Sequence, residues 1–140
     1  MREIKRIVVH HSASPRTVTT EVIKAWHTDP KKSGGPFKDI GYHFVIESDG
    51  AQRHGRPIWV EGAHCPDNGA NRDSIGICVT GNNTRDGDHW NDAQIASLVD
   101  LLRTLRVVFP NIPYLGHRDV PGAATECPGL DVRALLAGRV

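Results

Sequence analysis

The stretch Ile4-Lys5-Arg6-Ile7-Val8-Val9-His10 decides the architecture. Its β-branched run Ile7-Val8-Val9 is apolar without alternation, as a strand buried on both faces requires. Ser12-Ala13-Ser14-Pro15 closes it. A second run of the same kind, Ser74-Ile75-Gly76-Ile77-Cys78-Val79-Thr80, reads as another interior strand. Gly41 to Ile46 is a third, followed by the turn Ser48-Asp49-Gly50 and a short return at Gln52 to His54. Ile58-Trp59-Val60 is expected to be strand-like, residues 65–73 to be loop, and Tyr114 to His117 to be extended.

Helices fall between these strands. Thr17, Thr19 and Thr20 offer N-cap hydroxyls, and Val22, Ile23 and Trp26 form a short apolar stripe, so a helix is expected over about 19–28. Asp29-Pro30 stops it. The clearest helix begins at Asn91, with Gln94 three residues on as in a capping box. Ile95, Leu98, Val99, Leu102, Leu105 and Phe109 then keep the 3.6-residue period until Pro110 and Pro113. Asp131 to Ala137 suits a final short helix. This order implies one α/β domain over residues 1–140, a central mixed β-sheet flanked by helices.

Composition narrows the function. Among 140 residues, 17 Lys and Arg nearly balance 16 Asp and Glu, so no net positive field points to nucleic acid as a partner. No stretch approaches the roughly 20 apolar residues of a membrane span. The first residues enter a strand directly rather than reading as a secretory signal, so synthesis in the cytoplasm without a signal peptide is expected. Three cysteines do not make a disulfide framework, although a Cys65–Cys78 bridge stays open. Histidine is unusually frequent, at eight residues.

Metal-capable side chains cluster in three segments: Val9-His10-His11-Ser12, Gly116-His117-Arg118-Asp119 and Thr125-Glu126-Cys127-Pro128. Neighbours on a strand point to opposite faces, so His10 and His11 cannot both reach one site unless the strand bends. Two imidazoles and a thiolate suit Zn²⁺ and leave a fourth position open for water, the pattern of a catalytic site. Spacing alone leaves a rival, in which Cys127 is a nucleophile activated by His117.

Five segments in one order carry a resemblance: Val9-His10-x-Ser12-Ala13, Gly41 to Ile46, Ser74 to Ile77, Gly116 to Val120, and Thr125-x-Cys127-Pro128-Gly129. Together they resemble the zinc-dependent type 2 N-acetylmuramoyl-L-alanine amidases, a family that includes amidase-type phage lysozymes and catalytic peptidoglycan recognition proteins. The resemblance runs from about Ile4 to Ala137. It implies metal ligands at His10, His117 and Cys127, a zinc site in a surface groove, and peptidoglycan as substrate. It implies catalytic roles for Tyr42 and Thr125, and groove-lining, substrate-binding positions for His64 and Asn71. Tyr42 as a plain core aromatic is the competing reading. Some phage lysozymes of the family carry Lys where this chain has Thr125, and cytoplasmic recycling relatives carry Glu at the position of Cys78. A monomeric phage or prophage endolysin is expected, reaching the wall through a membrane lesion. The alternatives are a recycling or effector amidase, or a non-catalytic peptidoglycan-binding module. Of the other histidines, His43 is expected to be buried and hydrogen-bonded, His27 to pack at the core or rim, and His54 and His89 to lie on the surface.

Overall fold

The computed structural model describes residues 2–140. Five strands form one mixed sheet in the order β3-β2-β4-β1-β5. The Val-rich run forms β1 (Arg6–His11), which lies between β4 (Ser74–Val79) and β5 (Tyr114–Gly116) and runs parallel to both. β2 (Phe44–Ile46) adds to β4 in parallel, and β3 (Gln52–His54) closes that edge as an antiparallel return. Five of the six β1 residues and all six β4 residues are buried, as their unbroken apolar runs demand.

Side-chain alternation divides the sheet into two faces. Ile7, Val9, Ile75, Ile77, Val79 and Ile46 pack with α3 (Asp92–Val108) and α4 (Val132–Leu136) in the main core. α3 opens with the expected capping box: the Asn91 side chain accepts from Gln94 N, and the Gln94 side chain accepts from Asn91 N. The opposite face carries Val8, His10, Val45, Gly76 and Cys78, in a register that sets His10 beside Cys78 and Val45 beside Cys78. α1 (Thr20–Thr28) covers part of this second face with Ile23, capped by Thr19 as expected. Only Ile23 of its stripe is buried, while Val22 and Trp26 are 40% and 47% exposed. The stripe is therefore narrower than its sequence pattern.

Two expectations are corrected. Ile58-Trp59-Val60 is not a strand. Pro57 begins a turn closed by Val60 N on Pro57 O, and the carbonyls of Ile58, Val60 and Glu61 are taken by Arg2, His43 and Arg56 instead of a neighbouring strand. Residues 65–73 are not plain loop. A 3₁₀ turn (Asp67–Gly69) runs into a one-turn helix α2 (Ala70–Asp73), with Asn68 and Gly69 left-handed between them. Cys65 and Cys78 are both free thiols.

Candidate metal centre

The parallel strands β1 and β5 end side by side, with Val9 opposite Gly116. Ligand sites of open α/β sheets lie outside such carboxyl ends. His10 is the next residue on β1 and His117 the next after β5, so strand register alone brings the two imidazoles together. Their ring centroids are 4.8 Å apart. Cys127 arrives from a distant loop that two contacts hold in place. Arg118 N donates to Cys127 O at 2.7 Å, and Asn83 Nδ2 donates to Pro128 O at 3.0 Å. Gly116 makes this approach possible, because a Cβ there would stand 2.8 Å from Pro128 Cδ.

The ligand atoms of His10, His117 and Cys127 all lie within 4.8 Å of one another, so the three form a group able to hold a metal ion. Cys127 Sγ is 3.6 Å from His10 Nδ1. Tetrahedral Zn²⁺, with sulfur at about 2.3 Å and nitrogen at about 2.0 Å, sets such ligands about 3.5 Å apart. The donor set and this spacing fit zinc. His11 points to the other face, as alternation requires, and its Nδ1 accepts from Asn83 N at 3.2 Å.

Burial shifts two of the three groups, His10 and Cys127. His10 is 2% exposed, and burial first, then the neighbouring histidines, holds its pKa well below the ordinary value. Burial pushes the Cys127 thiol up to about 12. A nucleophilic cysteine needs the opposite shift. A thiol held neutral disfavours the Cys127–His117 nucleophile, and a bound cation would be needed to keep it as the thiolate.

Tyr42 lies against His10, with ring centroids 5.2 Å apart. Burial, then the Cys78 and Cys127 thiols, raises its pKa well above the ordinary value, so its hydroxyl keeps its proton. Cys78 is fully buried beneath it and takes no carboxylate role. Thr125 sits at the exposed rim, its Oγ1 accepting from Cys127 N at 3.1 Å, which leaves its hydroxyl hydrogen to point elsewhere. His64 and Asn71 line one cleft of about 380 Å³ with Phe37, Ala63 and Pro66. Asn71 Oδ1 accepts from both His64 N and Cys65 N, so this side chain also shapes the loop it was expected to flank.

Asp67 was not apparent from the sequence. Its Oδ2 stands 3.0 Å from His117 Nε2. That engages the outer nitrogen of His117 and leaves Nδ1 for a metal, as in carboxylate–histidine–zinc arrangements. The bond to His117 holds the Asp67 carboxyl below its usual range. A second triad, Cys65, Asp67 and His117, is also within ligand distance. It is the weaker candidate, because Asp67 and His117 already satisfy each other. The remaining histidines match expectation. His43 is buried, accepting from Gly76 N on Nδ1 and contacting Val60 O through Nε2. His27 packs on Phe37 and Tyr42, and His54 and His89 are exposed.

Comparison with known proteins places the chain among relatives. Residues 1–130 match the N-acetylmuramoyl-L-alanine amidase family. The endolysin of Klebsiella phage KP32 is 34% identical over 137 residues, covering 94% of this chain and 85% of that protein. Peptidoglycan-recognition protein SC2 of Drosophila melanogaster is 37% identical over 137 residues, covering 89% of this chain and 68% of that protein. Among solved structures, N-acetylmuramoyl-L-alanine amidase LysC from Clostridium intestinale superposes with a TM-score of 0.79 at 32% identity, covering 96% of this chain and 86% of that one. The chain belongs to the N-acetylmuramoyl-L-alanine amidase family.

Proposed function

We propose that this protein is a zinc-dependent endolysin that cleaves the amide between the lactyl group of N-acetylmuramic acid and L-alanine in peptidoglycan. The convergence of His10, His117 and Cys127 is the observation that carries the metal. When bound there, zinc supplies Lewis acidity towards the scissile carbonyl and a water acidified to near neutral pKa. The rest is done by the chain itself. The protonated Tyr42 hydroxyl donates towards the oxygen that gains charge as the carbonyl becomes tetrahedral, and can pass its proton to the departing amine of L-alanine. Thr125, at the open rim, adds a neutral donor on the same side as Cys127. The cleft beside His64 and Asn71 receives the stem peptide, with the Asn71 amide nitrogen as a donor. The role of endolysin rests on the phage relatives, and among the described residues no helix is long and apolar enough to cross a membrane. A binding-only module has no need of the assembled three-ligand set.

Incubation of the purified protein with peptidoglycan, with and without a chelator, tests this reading. New L-alanine N-termini that appear only with metal are expected. Release that survives complete metal removal, or no release under either condition, contradicts it.

A further inference from the structure

The ring of His64 occupies a slot that two glycines create. A Cβ on Gly76 of β4 would stand 2.6 Å from its Cγ, Cδ2 and Nε2, and a Cβ on Gly62 would stand 2.6 Å from Cδ2. The ring thus lies on bare backbone, on the sheet face that also carries His10. Both of its nitrogens are engaged inside the protein. Nδ1 is 2.7 Å from His10 Nε2, and Nε2 is 3.2 Å from Ser74 Oγ. Ser74 Oγ is also 2.5 Å from Ala70 O.

These contacts determine where each proton resides. A carbonyl oxygen only accepts, so the single Ser74 hydroxyl hydrogen goes to Ala70 O. Towards His64 the same oxygen must then accept, which places a proton on His64 Nε2. A neutral imidazole carries one N–H, so His64 Nδ1 is bare and accepts. Between the two rings, His10 Nε2 must donate. His10 Nδ1 is therefore left with its lone pair, and this is the atom 3.6 Å from Cys127 Sγ.

We infer that His64, fixed by Ser74 and the glycine slot, is a positioning residue that locks His10 in the tautomer whose Nδ1 faces the metal. This gives His64 a task other than contacting substrate, for which it has no nitrogen left. The two metal histidines are thus held by different chemistry. His117 leans on the Asp67 carboxylate, while His10 leans on a neutral imidazole–hydroxyl pair that adds no charge to a centre already containing a thiolate. The inference rests on the metal reading above for its consequence, but the tautomer itself is a property of the metal-free chain.

Two measurements test it. Two-bond ¹H–¹⁵N correlation spectra of the metal-free, unsubstituted protein report the protonated nitrogen of each histidine. Protons on Nε2 of both His10 and His64 are expected, and a proton on Nδ1 of either overturns the inference even if no variant folds. Zinc affinity by chelator competition is the second. His64→Phe keeps the ring volume but removes the acceptor, and is expected to weaken zinc by about 10- to 100-fold. His64→Asn, whose Oδ1 replaces Nδ1 as acceptor, is expected to recover most of that loss. A His64→Phe protein that binds zinc as the unsubstituted one does, or a His64→Asn protein no tighter than His64→Phe, overturns it. Failure of the metal reading looks different: the unsubstituted protein itself binds no zinc while the tautomers stand.

Discussion

The two sides of the metal centre are built differently. His10 projects from an interior strand, is 2% exposed, and has both ring nitrogens in contact with protein groups. His117 and Cys127 stand on a segment of turns that is only partly buried, held by the Arg118–Cys127 backbone bond, the Asn83 side chain on Pro128, a glycine approach and the Asp67 carboxylate. Position on the first side comes from sheet register, which persists as long as the domain is folded. Position on the second comes from a few cross-links that lie outside the sheet's own hydrogen-bond ladder. Damage on the first side is therefore expected to cost fold and metal together, and damage on the second to cost metal alone.

The largest effect is the paired loss of a ligand from each side. His10→Ala and Cys127→Ser are both expected to abolish stoichiometric zinc and lower amidase activity by about 1,000-fold or more, since several kcal/mol of transition-state stabilisation goes with the metal. They should differ in stability. His10→Ala opens a cavity in the sheet and should lose about 2 kcal/mol in denaturant unfolding of the metal-free protein, whereas Cys127→Ser should stay within about 0.5 kcal/mol. Equal destabilisation by the two would break the contrast.

Tyr42→Phe removes a donor without touching a ligand. Activity is expected to fall by about 100- to 1,000-fold with zinc content unchanged. Retained activity would return Tyr42 to the role of a core aromatic.

The sheet side should also be the acid-sensitive one. Burial lowers the pKa of His43 to about 4, and lowers those of His10 and His64 in the same direction. The unfolded chain, with histidines near 6.5, binds more protons than the folded one below that pH. Stability of the metal-free protein is therefore full above about pH 6.5 and falls as pH drops towards 4, His43 alone accounting for up to about 3 kcal/mol. Urea midpoints at pH 7 and pH 4.5 measure this, and a midpoint that does not move contradicts buried neutral histidines.

The smallest effect is expected at Asp67. Asp67→Asn keeps the shape but loses the charge-assisted contact to His117, and should weaken zinc by about 10-fold with little change in folding stability. No change would make the contact incidental to the centre.

The same division separates what the sequence discloses from what it hides. The apolar runs around Val8 and Ile77 and the Asn91–Gln94 capping box are local signals, and they appear in the fold as written. The pattern of motifs selects His10 over His11, where alternation shows only that the two diverge. Two short stretches, 58–60 and 67–73, depart from their sequence pattern. Trp59 and Val60 have strand-like chemistry but are exposed on a turn, because Arg2, His43 and Arg56 satisfy that backbone from elsewhere in the chain. Asp67 and Ser74 look like ordinary polar residues in sequence. Their partners, His117 and His64, are 50 and 10 residues away, and only the folded loop brings them within hydrogen-bond reach.

X-ray absorption at the zinc edge of the purified, zinc-loaded protein tests the centre most directly. One sulfur at about 2.3 Å and two imidazole nitrogens at about 2.0–2.1 Å are expected around a single zinc, with the sulfur lost in Cys127→Ser. A zinc shell without sulfur in the unsubstituted protein, or no stoichiometric zinc at all, would contradict a centre made by His10, His117 and Cys127.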